Sequence, residues 1–356
     1  MNYRHVMITG GAGFVGANLA IRLREHSSST QVTVLDNLCR RGSELNLARL
    51  AEHGITFVHG DIRCPEDIVD SRPFDLLIDC SAQPSVHAGL DGSPMPVVRS
   101  NLDGTVHCAE AARRHDAALL FLSTSRVYPI QSLNELPYQD AGTRFQWTGH
   151  ADTPGFSEHG VAEEFPLTGA RSLYGATKLA SELVLQEYAY SYQMPVLINR
   201  CGILTGPWQM GKVDQGVITY WIASHLFGRG LRYTGFGGDG KQVRDLLHVD
   251  DLFDLIVAQI GKPDLWDGRV YNVGGGNDVS TSLCELTERC REVSGSVVPV
   301  EPSPETSSVD LRIYVSDSRR VSDEFGWRPQ RGVGTIVEDI WDWMAARREL
   351  LAPVFG

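Results

Sequence analysis

Residues 5 to 36 read HVMIT, then GGAGFVG leading into GFVGANLAIRLREH, then QVTVLD. A short apolar run, a glycine turn, an apolar pattern at helical spacing and a second apolar run are compatible with few folds. They predict strand, turn, helix and strand, in which two parallel strands share a crossover helix. The pattern then repeats. ITFVHGD (55–61) and FDLLIDCSA (74–82) read as buried strands, VVRSNLDGTVHCAEAARRH (97–115) as a helix and ALLFLSTS (118–125) as a fifth strand. SLYGATKLASELVLQEYAYSY (172–192) has helical spacing and PVLINR (195–200) is a sixth strand. This alternation implies an α/β fold, a Rossmann-type doubly wound parallel sheet covered by helices on both faces.

Past residue 200 the alternation loosens. LLHVDDLFDLIVAQI (246–260) reads as a helix and RVYNVGGG (269–276) as a strand returning to the sheet. SLCELTERCREVSG and GTIVEDIWDWMAARREL are amphipathic helices, and 129–171 reads as a long loop. The expected division is a sheet domain over 1–200, rejoined by 246–276. A smaller, mostly helical C-terminal lobe is expected over 201–245 and 277–356.

The turn GGAGFVG fits two spacings, GxxGxxG from Gly10 and GxGxxG from Gly11. Gly10 is expected to permit the tight turn, Gly13 to let a ligand approach the backbone, and Gly16 to let the helix pack on the sheet. The helix that follows offers unpaired N–H groups and partial positive charge, which suit a phosphate. Glycines alone often serve only a turn, so the next strand matters. It ends in Asp36, twenty residues past Gly16. A carboxylate there accepts from both hydroxyls of an adenosine ribose and repels a 2′-phosphate. NAD is the expected cofactor, with NADP kept as the alternative by Arg40 and Arg41. Asp61 reads equally as an adenine contact or as a plain turn residue.

Composition narrows the partners. A net charge of −12 over 356 residues argues against a general nucleic-acid or anionic-membrane surface. No apolar run approaches a membrane span and the opening MNYRHVMITG lacks the layout of a signal peptide, so a cytoplasmic location is expected. Seven scattered cysteines form no CxxC pair and eleven histidines form no HExxH, so neither a disulfide framework nor a metal is expected.

SLYGATK places Tyr174 and Lys178 four residues apart, on one helix face. An ammonium near a phenol favours the phenolate and makes a candidate general base. Alone, the pair reads more simply as ordinary helix surface. LSTS (122–125), however, ends a central strand at the edge where a doubly wound sheet binds ligand, which brings Thr124 to the same cleft.

The TGGAGFVG-type loop, the Thr-bearing strand and YxxxK together resemble the extended branch of the short-chain dehydrogenase/reductase superfamily, the NAD-dependent epimerase/dehydratase family. The stretches DNLCRRG, HGDIR, STSRVYP, RSLYGATKLASE, GPWQMGKVDQG and GKQVRDLLHVDDL are similar to CDP-paratose 2-epimerases, also called CDP-tyvelose epimerases. The resemblance covers nearly the whole chain. It implies that Gly10, Gly13, Phe14 and Val15 form the phosphate loop and that Asp36 and Asn37 hold the ribose. Asp61 and Ile62 would flank the adenine, Ser81, Ala82 and Gln83 would line the nicotinamide side, and Asn101 would join the cofactor contacts.

Thr124, Tyr174 and Lys178 are implied as the catalytic trio. Arg126, Gln209, Tyr233, Arg244 and Arg312 are implied as contacts to a nucleotide-diphosphate sugar, with Arg244 and Arg312 against its phosphates. A planar guanidinium fork pairs well with phosphate oxygens, although isolated arginines more often sit on solvated surface. LRYTGF, around Tyr233, is where the base would be read. A homo-oligomer, dimer or tetramer, is also implied, with the helices at 97–115 and 173–192 as candidate faces.

Two departures from the family pattern matter. Many 4-epimerases follow the sixth strand with a motif ending in Asn that touches substrate phosphate, whereas this chain has RCGI, ending in Ile203. Related dehydratases carry Asp-Glu after the strand Thr, and related decarboxylases a Glu. Here the residues are Ser125 and Arg126. The expected function is a nucleotide-sugar epimerase with tightly bound NAD, acting at C2 of a CDP-hexose. A 4-epimerase of UDP- or other NDP-sugars is the alternative, because the trio requires only an oxidisable carbinol. A non-catalytic NAD(P)-binding regulator is the alternative from another class, although such regulators tend to lack the Tyr or the Lys.

Overall fold

The computed structural model describes residues 3–90, 92–148, 152–212 and 215–355; Val213 and Asp214 of the GPWQMGKVDQG stretch lie outside them. Among the described residues seven strands pair in parallel: β1 (His5–Thr9), β2 (Gln31–Asp36), β3 (Thr56–His59), β4 (Leu76–Asp79), β5 (Ala118–Thr124), β6 (Val196–Cys201) and β7 (Asp267–Val273). Their order is β7-β6-β5-β4-β1-β2-β3. The chain runs outward from β1 to β3, then crosses back to β4 on the other side of β1. That reversal opens a crevice at the carboxyl ends of β1 and β4, where doubly wound sheets bind ligand.

Alternate residues of the strands feed two cores, as the side-chain period of two requires. On one face Val6, Ile8, Val34, Leu120 and Leu122 pack under α1 (Phe14–His26) through its Ala17, Leu19, Ala20 and Leu23. On the other, Met7, Leu35, Leu77, Leu119 and Phe121 meet α2 (Gly104–Arg114) and α3 (Leu173–Tyr192). All of β5 is buried, and each leucine so enclosed stabilises the sheet by roughly 1.5–3 kcal/mol. A π-type stretch, Arg99–Asp103, leads into α2 and carries Asn101. Such widened turns frequently sit at functional sites.

Three sequence expectations need correction. ITFVHGD is no buried run: β3 is the sheet's edge, paired only with β2, and Thr56, Val58 and His59 are exposed. Leu246 does not open a helix. Val243–His248 is a strand, paired with Ile203–Thr205, Ser280–Ser282 and Ile313–Tyr314, and the helix begins at Val249. Its apolar run carries no period of its own, so long-range pairing settled its state. The stretch 129–171 is not all loop, because it holds a helix, Ile130–Asn134, and two short antiparallel ribbons. Beyond the sheet, helices Val217–Phe227, Leu283–Ser294 and Val333–Ala345 pack through Trp221, Ile222, Leu286, Ile336 and Met344. Among the described residues no helix is long and apolar enough to cross a membrane.

Candidate active site

The glycine turn works by close approach. Gly10 has φ +62° and a Cβ there would lie 2.9 Å from the Cys80 carbonyl carbon. Gly11 lies on β2, where a Cβ would stand 2.3 Å from Val34 Cβ. A Cβ on Gly16 would meet Gly10 O at 2.4 Å, so Gly16 seats the helix on its own loop rather than on the sheet. Gly13 is the N-cap of α1 and no side chain caps the first turn. These N–H groups and the partial charge behind them form a cradle suited to the diphosphate of a dinucleotide. Phe14 and Val15, at the start of the helix, are half-buried.

Asp36 braces this loop, accepting from the N–H groups of Ala12 at 3.1 Å and Leu38 at 2.8 Å. Burial pushes its carboxyl up, against the pull of those donors. Asn37 donates to Asp61 at 2.9 Å, and the Arg63 guanidinium holds the Asp61 carboxyl well below the usual range. Ile62 is buried against Gly104, where a Cβ would lie 2.4 Å from its Cδ1. Asp61 and Arg63 border a cavity of about 490 Å³ that Cys64, Arg99, Asp103 and His107 complete. Arg40 donates to Gln215 and to the Met210 carbonyl, and Arg41 to the Pro353 carbonyl. Both arginines are thus engaged by the C-terminal lobe.

At the other end of the crevice Asp79 is fully buried. It accepts from Thr9 at 2.7 Å, Thr105 at 3.0 Å and the Ser81 N–H at 3.0 Å, which fixes the SAQ segment. Asn101 clamps Gln83 from both sides, accepting its N–H at 2.7 Å and donating to its carbonyl at 3.2 Å. Ala82 lies between these anchors and is exposed.

Thr124 ends β5 and Tyr174 lies in the first turn of α3, which Ser172 caps by accepting the Gly175 N–H at 3.2 Å. The Thr124 hydroxyl accepts the Arg126 N–H at 3.2 Å and lies near the Tyr174 phenol. Burial pushes the phenol up, while Thr124 and the Arg126 charge pull it down. Lys178 is 2% exposed, with Nζ 4.0 Å from the centre of the Phe121 ring. Burial lowers its ammonium and Asp79 opposes that shift. Beneath the trio Glu182 and Arg200 form a buried ion pair at 2.7 Å, joined by Ser123 and the Tyr128 hydroxyl.

On the substrate side Arg126 Nη1 donates to Val309 O at 3.0 Å, and Arg244 Nη2 to Leu311 O at 2.6 Å. Burial and the nearby Arg126 charge bring the Arg244 guanidinium down to about 9. Arg312 goes elsewhere. It donates to Asn134 O at 2.9 Å and lies 4.0 Å from the Tyr138 ring centre and 5.0 Å from that of Phe236. Tyr233 stacks on Trp221 and donates to Thr287 at 2.7 Å, and the Gln209 amide serves Thr205, Thr219 and Leu204 O. Among the described residues no three His, Cys, Asp or Glu side chains are grouped to hold a metal ion.

The sequence profile of the NAD-dependent epimerase/dehydratase family matches residues 6–274. The chain belongs to this family. It is 27% identical to the CDP-paratose 2-epimerase of Salmonella typhi over 96% of this chain and 99% of that one. It is 30% identical to the dTDP-glucose 4,6-dehydratase of an Actinoplanes strain over 96% and 98%. Among solved structures, the UDP-glucose 4-epimerase of Thermus thermophilus in complex with NAD aligns with TM-score 0.74 and 26% identity, over 96% and 99% of the two chains. Epimerase/dehydratase enzymes of this kind depend on NAD, and the uncapped helix start, the glycine cradle and Asp36 suit that cofactor.

Seen as a member of this family, the chain hides two parts of its site from sequence reading. The Glu182–Arg200 pair had a signal, a charge inside each of two apolar runs, but only the fold brings them together. The nearness of the Arg126 charge to Tyr174 had none beyond the position of Arg126 after Thr124.

Proposed function

We propose that this protein is a nucleotide-sugar epimerase that inverts C2 of a CDP-hexose. The residue pair after Thr124 sets elimination of water aside. Ser125 and Arg126 stand where an acid pair would be needed to eliminate water, and Arg126 puts a cation beside Tyr174 instead. The observation that carries the C2 position is similarity to the Salmonella typhi 2-epimerase along both whole chains.

In this mechanism Gly10, Gly13, Phe14, Val15 and Asp36 hold the cofactor, and Asn101 keeps Gln83 in place beside it. NAD held there would supply a hydride acceptor and donor at the carbinol, so the sugar would undergo no net redox change. Tyr174, as phenolate, takes the hydroxyl proton and returns it to the same oxygen once the keto sugar has turned over. Thr124 holds that oxygen in line, and Lys178 brings positive charge to the same helix face. Arg244 meets the diphosphate.

Proton NMR of the purified protein with CDP-paratose, CDP-glucose, UDP-glucose and GDP-mannose, with no cofactor added, tests the reading. A C2 epimer of a CDP-sugar is expected, and Tyr174→Phe should lower its formation by at least about 10³-fold. Inversion at C4, or loss of water, would reject the assignment.

A further inference from the structure

Arg126 touches more of the site than a substrate contact requires. Its N–H is fixed on Thr124 and its carbonyl lies against α3, where a Cβ on Gly175 would come within 2.0 Å of the oxygen. The backbone is therefore pinned between Thr124 and the helix turn that carries Tyr174. The side chain then reaches the segment 309–311, where Val309 O is the one acceptor its guanidinium meets among the described residues. Arg244 grips the same segment at Leu311 O. Two cations hold carbonyls two residues apart, with Asp310 between them as the nearby countercharge to both. These two half-buried guanidiniums, with Asp310 near both and Asp245 near Arg244, spend donors on neutral carbonyls, which a diphosphate would replace with charged acceptors.

Around Tyr174, Thr124 and Arg126 at the end of β5 favour the phenolate, and Cys201 at the end of β6 opposes it. Lys178 follows one turn along α3, with Asp79 as its main opposing charge. One cation thus stands beside both the base and the phosphate arginine. In a sugar nucleotide C2 is bonded to the anomeric carbon that bears the phosphate, whereas C4 lies across the ring. We propose that Arg126 bridges the general base and the substrate diphosphate, and so selects the carbinol next to the anomeric phosphate for oxidation. This role rests on the C2 reading above.

The test compares wild-type protein with Arg126→Met, Arg126→Lys and Arg244→Met. CDP binding is measured by calorimetry, and the pH profile of kcat/KM with CDP-paratose by NMR. Arg126→Met should weaken CDP about tenfold or more, and Arg244→Met should do the same. It should also move the acid limb to higher pH, because losing a cation raises the phenol pKa; Arg244→Met should leave that limb in place. Arg126→Lys keeps the charge and loses the fork, so its acid limb should stay near wild type while CDP weakens severalfold.

CDP affinity within twofold of wild type, or an unmoved acid limb in Arg126→Met, would overturn the bridging role. If Arg126→Met does not fold, unchanged CDP binding by Arg126→Lys does the same. Inversion at C4 by the wild-type protein would overturn the C2 reading and this selection together. C2 inversion with a wild-type profile for Arg126→Met would overturn the bridging role and its selection and leave the C2 reading standing.

Discussion

Asp245 follows Arg244 on the Val243–His248 strand and is fully buried. Its Oδ2 accepts from the N–H groups of Ser316 and Gly276, while Oδ1 has no partner among the described residues. Burial pushes the carboxyl from 3.8 to about 6. Because the folded value is the higher one, its stabilising contribution is complete below about pH 4 and is lost as pH rises through about 6. Asp245→Asn keeps the accepting oxygen for the Ser316 and Gly276 N–H groups and removes the charge. The variant should lose this pH dependence and gain on the order of 2–3 kcal/mol at pH 7.5. Thermal melts with the wild-type slope between pH 4 and 6 would contradict this. At this scale the sequence showed the candidate side chains better than their neighbours: the pairing of Tyr174 and Lys178 on one helix face was legible from a spacing of four, and the charge of Arg126 near the phenol was not.

Among the elements, α3 carries the proposed base, and its placement depends on one missing methyl. Gly175 lets the first turn lie against the Arg126 carbonyl, and the Glu182–Arg200 pair ties the next two turns to β6. Gly175→Ala must push the helix off that carbonyl. A stability loss of about 1–3 kcal/mol is expected, with kcat lower by about 10²-fold because Tyr174 moves with the helix. Steady-state rates near wild type would show that the turn can shift without moving Tyr174. The glycines of the cofactor loop were legible as a group, since a strand–turn–helix pattern is local. Their individual tasks were not, and the contacts of Gly11 and Gly16 depend on what the turn folds onto.

For the whole molecule, Trp208 joins the lobe to the cofactor loop. It has φ +71°, a left-handed conformation that large side chains rarely adopt. Its ring lies 4.1 Å from Arg49 Cζ and 5.2 Å from Arg347 Cζ. Arg49 also donates to Asn46 at 2.6 Å and Asn18 at 2.9 Å, and these side chains donate to Ala12 O and Phe14 O at the start of α1. Trp208→Ala should therefore release the resident cofactor faster, by about tenfold, with about 1–3 kcal/mol of lost stability. Exchange of labelled NAD at the wild-type rate would reject the coupling.

Sequence alone determined the parts whose physics is local. Strand and helix order follows from the periodicity of burial, the proposed phosphate loop from three glycines at a strand–helix junction, and the proposed base from two residues one helical turn apart. The tertiary structure decided everything that depends on distant segments meeting. It made Val243–His248 a strand, enclosed Arg312 among aromatic rings and turned Gln209 inward. It also brought Arg126 and Arg244 to one stretch of backbone more than sixty residues from either. Charges and hydrogen bonds act through space, and where a side chain finds its partner is set by how the chain folds back on itself.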